Sequence, residues 1–191
     1  MAIKPDQGAY HFSAEKQIYE IQRGNNFEFV IQNSDFINKL TALGDPATTF
    51  PKAQEYIRIA VASSSVPHFS QNAIEVRRGN TSVKYAGVIS FQSGSIQCYD
   101  FIGTKVKDIL MAWQAKSGNP LTQTVGLQAD YKTDCYLVEY PPDYSAPVRH
   151  WKLEGCWISE ISEPEYSVDS NDSRRISVTI QYDRAYPDYS Y

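Results

Sequence analysis

Residues Asp100–Pro120 read DFIGTKVKDILMAWQAKSGNP, the one long segment whose apolar residues recur at helical spacing. Ile102, Val106, Ile109, Leu110 and Trp113 fall at i, i+4, i+7, i+8 and i+11, which places them on one stripe of an α-helix. Lys105, Lys107, Asp108 and Lys116 fall on the opposite side. Asp100 is placed to cap the first turn, Gly118 to give a left-handed exit and Pro120 to stop the helix. Nearly every other patterned segment reads as strand and turn. The expectation is therefore a mainly β chain, a barrel or sandwich with one packed α-helix set against its end or face.

The strands follow from alternation on either side of that helix. Asn26–Gln32 (NFEFVIQ) alternates Phe27, Phe29 and Ile31 on one face. Glu55–Ala62 (EYIRIAVA) reads as a strand with Ile57, Ile59 and Val61 inward and Tyr56, Arg58, Ala60 and Ala62 outward. Between them, residues 33–54 read as an insertion, with a short helix in SDFINKL and the turn-rich GDPATTFPK. Ile74–Val88 carries a hairpin signal, with Ile74 and Val76 facing Val83 and Tyr85 across a turn at Gly79-Asn80. Such a hairpin is too narrow to be stable alone and has to lie on something else. Ile89–Tyr99 then leads into the helix as a strand, with a bulge or bend at Gly94.

Beyond the helix, 123–132 is a weakly patterned loop, and Cys135–Tyr140 (CYLVEY) is apolar on both faces, as for a strand covered on both sides. His150–Ile161 (HWKLEGCWISEI) is a strand with a break at Gly155. Arg175–Tyr182 is the cleanest alternation, with Ile176, Val178, Ile180 and Tyr182 inward and Ser177, Thr179 and Gln181 outward. The organisation expected is an N-terminal arm over 1–25, one domain over 26–187 carrying the 33–54 insertion, and a short tail over 188–191.

The totals exclude several classes. Eighteen basic against 22 acidic residues give a net charge of −4, with no basic stripe to attract nucleic acid. No apolar run approaches a membrane span and MAIKPDQGAYHF lacks the apolar core of a signal peptide, which points to synthesis in a cytosol. Cys98, Cys135 and Cys156 are odd in number and widely spaced, so free thiols are favoured over a metal site, with disulfides open to a particle later released into oxidising surroundings. No catalytic motif is present: His11, His68 and His150 stand alone, and Glu160, Glu163 and Glu165 sit in a charged turn around Pro164. Neither a cofactor nor an enzymatic reaction is expected.

What remains is surface. The outward positions of 56–62 and 175–182 carry few of the long charged chains usual on a solvated face, and the strand edges lack protective Lys or Pro. Copies of the chain pairing edge to edge would use both features.

The order of parts resembles the tail tube proteins of contractile-tailed bacteriophages over residues 26–187, apart from 33–54. The resemblance is carried by SVPHFSQNAIEVRRGNTSVKYAG, the strand ISFQSGSIQCY and the helix closing on Trp113-Gln114, and again by KLEGCWISEISEPEYSVDSNDSRRISVTIQYDRAY with Gly155, Trp157 and a final strand ending in Tyr182-Asp183. It implies the phage tail tube fold, with copies forming hexameric rings that stack into a hollow virion tube assembled in the host cytoplasm. The partners implied are the sheath, baseplate or tube-initiator and tail-terminator proteins, a tape-measure protein in the lumen, and DNA passing through it at ejection.

On that reading Ile74, Val76, Arg77, Arg78, Asn80, Val83 and Tyr85 are contacts between subunits or rings, and Arg58, Lys152, Glu154, Ser177, Thr179 and Gln181 are candidates for the lumen face or ring edge. A specific contact needs more than about 1,000 Å² of buried surface. A wall poor in Lys and Arg lets DNA slide without sticking. Two alternatives stand beside the phage tail: the tube of a tailocin-type contractile injection system and, from another class, a β-sandwich carbohydrate-binding module suggested by 14 Tyr and 3 Trp.

Overall fold

The computed structural model describes residues 21–169 and 171–189. Most of the expected 1–25 arm, and residues 190 and 191 of the tail, lie outside the described residues. The elements run β1 (Phe27–Ile31), α1 (Ser34–Asn38), β2 (Thr41–Ala42), β3 (Asp45–Thr49), α2 (Ala53–Ala60), β4 (Val61–Ser64), β5 (Phe69–Arg78), β6 (Thr81–Phe91) and β7 (Gly94–Tyr99). They continue with α3 (Val106–Ser117), β8 (Gly118–Asn119), β9 (Thr124–Val125), α4 (Gln128–Tyr131), β10 (Thr133–Glu139), β11 (Arg149–Ser162), β12 (Arg175–Gln181) and β13 (Arg184–Pro187).

The body is an antiparallel strand path in the order β1, β10, β11, β12, β7, β4, with β13 added on β11. β11 is the pivot. Its first half lies between β10 and β13, and its second half pairs with β12. The change of partner falls at Gly155, where φ is +68° and the register against β10 shifts between Thr133 and Cys135. A bulge there bends the strand and turns one sheet into the next. The two ends of the path, β1 and β4, lie side by side, yet no ladder between them is formed among the described residues. The result is a mainly β, barrel-like fold open along one seam.

Inward alternation fills the space enclosed. Phe29 and Ile31 of β1, Ile176, Val178 and Ile180 of β12, and Tyr182 beyond it are buried as the period-2 pattern requires. The expected helix is α3, whose Val106, Ile109, Leu110 and Trp113 are buried against β11. Trp113 donates its indole N–H to the Tyr131 carbonyl at 3.0 Å, so its single polar atom is satisfied in the core.

Several local expectations are corrected. α3 starts at Val106, not at Asp100: its cap is Lys105 at φ +52°, and Ile102 is 104% exposed instead of completing the stripe. Gly118 leaves the helix in extended backbone at φ −152°, because the chain enters the β8–β9 hairpin at once, so no left-handed exit is made. The 123–132 loop contains β9 and α4. Residues 89–99 do not form one strand: β6 ends at Phe91 and β7 starts at Gly94.

The largest correction concerns 55–62. This segment is helix α2 followed by β4, with Ala53, Ile57 and Ala60 buried at i, i+4 and i+7 while Ile59 is 64% exposed. Ile57, Ile59 and Val61 fit a period of two and Ala53, Ile57 and Ala60 fit a period of 3.6 equally well, and packing against β1, β7, α1 and α3 selects the helix. Residues 33–54 contain α1 and the β2–β3 pair, and they send Ile37, Leu40, Phe50 and Ala53 into the same core as the sheets.

Candidate assembly surface

The surface that needs explaining is the β5–β6 hairpin. Its register places Ile74 opposite Tyr85, Val76 opposite Val83 and Arg78 opposite Thr81, so one face of the outer half carries Ile74, Val76, Val83 and Tyr85 with Arg78 at the tip. The other face carries Ala73, Glu75 and Arg77 opposite Ala86, Lys84 and Ser82, with Lys84 paired to Glu75 at 3.2 Å. The turn is the expected one, with Gly79 at φ +65°. Halfway along, Gly87 and Val88 oppose Asn72, a bulge that needs glycine because a Cβ at 87 would meet the Asn72 carbonyl oxygen at 2.4 Å.

Among the described residues, this hairpin is anchored at its base. Phe91 stacks edge-on against Tyr182 with ring centroids 6.4 Å apart and touches Phe69 at 6.1 Å. The Gln92 amide N–H donates to the His68 carbonyl, and the Gln92 side chain donates to Ser70 Oγ at 3.2 Å. Every residue of β5 is exposed, including Ile74 and Val76. Side chains that would each contribute roughly 1.5–3 kcal/mol on burial are left in water, which a folded monomer gains nothing from.

The proposed lumen residues fall into three separate places. Ser177, Thr179 and Gln181 stand on the outer side of β12, where Ser177 pairs with Gln97 and Thr179 with Ser95 of β7. Ser63 of β4 continues the ladder against Gln97, so the middle of this sheet face carries small or amide side chains, with Glu160 of β11 opposite Thr179 and Arg175 at the end of β12 as its charged members. Lys152 and Glu154 lie on the first half of β11, across the pivot from that face. There Lys152 approaches Glu154 at 3.3 Å and Asp134 at 3.7 Å, Arg184 approaches Glu154 at 2.9 Å, and the Tyr186 hydroxyl donates to Glu154 at 2.7 Å. That hydroxyl first, and then the two cations, hold the Glu154 carboxyl below the usual glutamate range. Arg58, expected outward on a strand, sits on α2 and pairs with Glu28 of β1, away from both.

Sequence reading missed an exposed apolar group at the end of the second sheet: Phe101 and Ile102 before α3, and Tyr166 and Val168 between β11 and β12. The signal available was Ile102 itself, an aliphatic residue followed by Gly103, which breaks the helix it was assigned to. Three thiols, Cys98, Cys135 and Cys156, are free and buried. Among the described residues no helix is long and apolar enough to cross a membrane.

No protein-family model and no curated protein sequence matches this chain. Solved structures do. A chain of the sheath–tube complex of an extracellular contractile injection system, PVC, in its extended state superposes with a TM-score of 0.64 at 16% identity, covering 93% of this chain and 98% of that one. The sheath/tube terminator of the same system superposes with a TM-score of 0.59 at 17% identity, covering 88% and 97%. The tube-terminating cap of the anti-feeding prophage gives 0.59 at 15% identity, covering 88% and 91%. The chain thus has the tail-tube fold found in contractile injection machinery.

Proposed function

We propose that this protein is a structural subunit whose copies close into hexameric rings and stack into the hollow inner tube of a contractile apparatus. The observation that carries the reading is the β5–β6 hairpin, an amphipathic finger anchored at its base and uncovered along its length, on a fold shared with sheath–tube, cap and terminator components. Burial of that finger on a second copy supplies the missing cover, and strand pairing at the open edges of β1 and β4 supplies lateral contact. The sheath, the baseplate or tube initiator and the terminator are its partners in the assembled particle. A tape-measure protein and then DNA occupy the lumen if the apparatus is a phage tail.

The small and amide side chains of Ser177, Thr179, Gln181, Ser95 and Gln97, with the acidic Glu160 opposite Thr179, suit a wall past which a polyanion moves without binding, because phosphate retention needs Lys and Arg. No step of the function is a reaction.

Electron microscopy of the purified protein at rising concentration tests the reading. Hollow rods with a regular axial repeat are expected from the intact chain. A variant in which Ser70–Ser90 is replaced by a short turn joining Phe69 to Phe91 is expected to stay folded and make none. Monomers at every concentration from the intact chain would overturn the proposal.

A further inference from the structure

The hairpin leaves the body at one end of the second sheet, and the exposed apolar group lies at the other. Gly94, where the hairpin returns to the sheet, pairs with Ile180, whereas Tyr99 at the far end of β7 pairs with Arg175. β4 runs the same way: its Ser64 pairs with Ile96, and the Ser65 amide N–H then donates to the Ser95 carbonyl before the chain turns out toward β5. The segment between β11 and β12 therefore closes the sheet at the end opposite the hairpin base.

The two ends are complementary in charge and in apolar character. Between Phe69 and Phe91 stand Arg77, Arg78 and Lys84 against the single acid Glu75. Lys84 is taken by Glu75, while no carboxylate partner of Arg77 or Arg78 occurs among the described residues. Between Glu160 and Ser173 stand five acidic residues and no basic one. Of these, Glu163 is held by Lys107 at 2.9 Å and by Arg174, a clamp that fixes the segment to α3. Glu165 and Asp169 are exposed and point no charge at a described cation, and beside them Tyr166 is 84% and Val168 103% exposed.

We infer that the hairpin of one copy docks on the Glu165–Asp169 segment of a second copy, with the Ile74, Val76, Val83 and Tyr85 face against Tyr166, Val168 and Ile102, and with Arg78 from that face and Arg77 reaching round the tip from the other face against Glu165 and Asp169. This rests on the tube reading and deepens it by naming the acceptor. Donor and acceptor lie at opposite ends of one sheet, so the contact is heterologous, and copies joined end to end in one orientation leave a free donor and a free acceptor at the two ends of the stack, by which it lengthens. Charge sets orientation and the apolar face supplies the burial.

The test is a charge exchange scored by pelleting and electron microscopy of the full chain, with thermal melting to confirm that each variant is folded. R77E/R78E and E165R/D169R are each expected to cut the rod fraction at least roughly tenfold by setting like charges together. The four substitutions combined are expected to restore it. If the intact chain makes rods and E165R/D169R makes them equally well, the acceptor lies elsewhere and the inference falls while the tube reading stands. Failure of the fourfold variant to recover, with both parents folded, overturns it as well. If the intact chain makes no rods at any concentration, the tube reading itself fails and takes this inference with it.

Discussion

Gly155 is pressed against Asp183: a Cβ at 155 would lie 2.4 Å from Asp183 Oδ2, and the residue holds φ at +68°. The carboxylate cannot swing away without cost, because Lys132 grips both its oxygens at 2.7 and 2.8 Å. The Gly155 amide N–H meanwhile donates to Asp134 Oδ1 at 3.0 Å. This is the point at which β11 passes from one sheet to the other, so the pivot of the fold depends on a residue without a side chain. Gly155→Ala is expected to destabilise the chain by about 1–3 kcal/mol through backbone strain and displacement of the ion pair, read as a lower melting temperature. A melt unchanged within error would show that the pivot tolerates a side chain.

Trp113 joins α3 to α4 by packing and by one hydrogen bond. It is 1% exposed, meets Phe36 edge-on at 6.2 Å, and bonds the Tyr131 carbonyl. Trp113→Ala is expected to cost about 3–5 kcal/mol by opening a cavity in the core. Trp113→Phe retains most of the volume but leaves the Tyr131 carbonyl without its donor, for about 1–3 kcal/mol. Chemical denaturation of the two variants separates the packing loss from the bonding loss.

Glu163 gives the fold an acid sensitivity. Burial pushes its carboxyl up, and the hydrogen bonds and charges of Lys107 and Arg174 outweigh that push, so the net shift is below the ordinary value of 4.5. A carboxyl depressed in the folded state contributes stability above its unfolded value, and that contribution is lost as pH falls through the folded value. Glu163→Gln is expected to melt lower than the parent at pH 7, and the gap to close as pH falls below about 4. A gap independent of pH would show that the clamp is steric, with no electrostatic part.

The thiols should be silent in the native state. Burial pushes Cys98 up to about 12, and burial followed by the neighbouring Cys156 thiol pushes Cys135 well above the usual range. All three thiols are fully buried and out of a reagent's reach, so a disulfide reagent at pH 8 is expected to modify none of them in the folded chain and all three in urea. Rapid modification of Cys98 without denaturant would mean that the β4–β7 edge opens.

Much of the framework is legible in the residues alone. The period-2 runs of β1 and β12 are local patterns, each of which names its own buried face because a strand has only two, and the Gly79-Asn80 turn is local as well. The Val106–Trp113 stripe is equally local, since Val106, Ile109, Leu110 and Trp113 mix odd and even positions and so fit a 3.6 period and not a period of two. An odd cysteine count leaves at least one thiol unpaired, and that all three are free and buried is a property of the fold.

Other features belong to the tertiary structure. Residues 53–61 fit both periods, Ile57, Ile59 and Val61 the one and Ala53, Ile57 and Ala60 the other, and α2 exists because Ala53, Ile57 and Ala60 find β1, β7 and α3 beneath them. Lys105 caps α3 in place of Asp100 because the chain leaving β7 turns Phe101 and Ile102 outward first, a placement set by the Glu163 clamp and by the bond from the Asp100 amide N–H to the Arg174 carbonyl. The positions of Lys152 and Glu154 on one sheet and of Ser177, Thr179 and Gln181 on the other depend on the bend at Gly155, which no alternation rule encodes.

The sequence by itself determined which segments bury one face and which finger has an apolar side, because side-chain period and turn chemistry act over a few bonds. Only the tertiary structure decided that this finger is uncovered, and that the acidic segment suited to cover it lies at the far end of the same sheet. Distance between the two ends is set by strand register across the whole sheet, a relation among residues far apart in the chain that no local pattern contains.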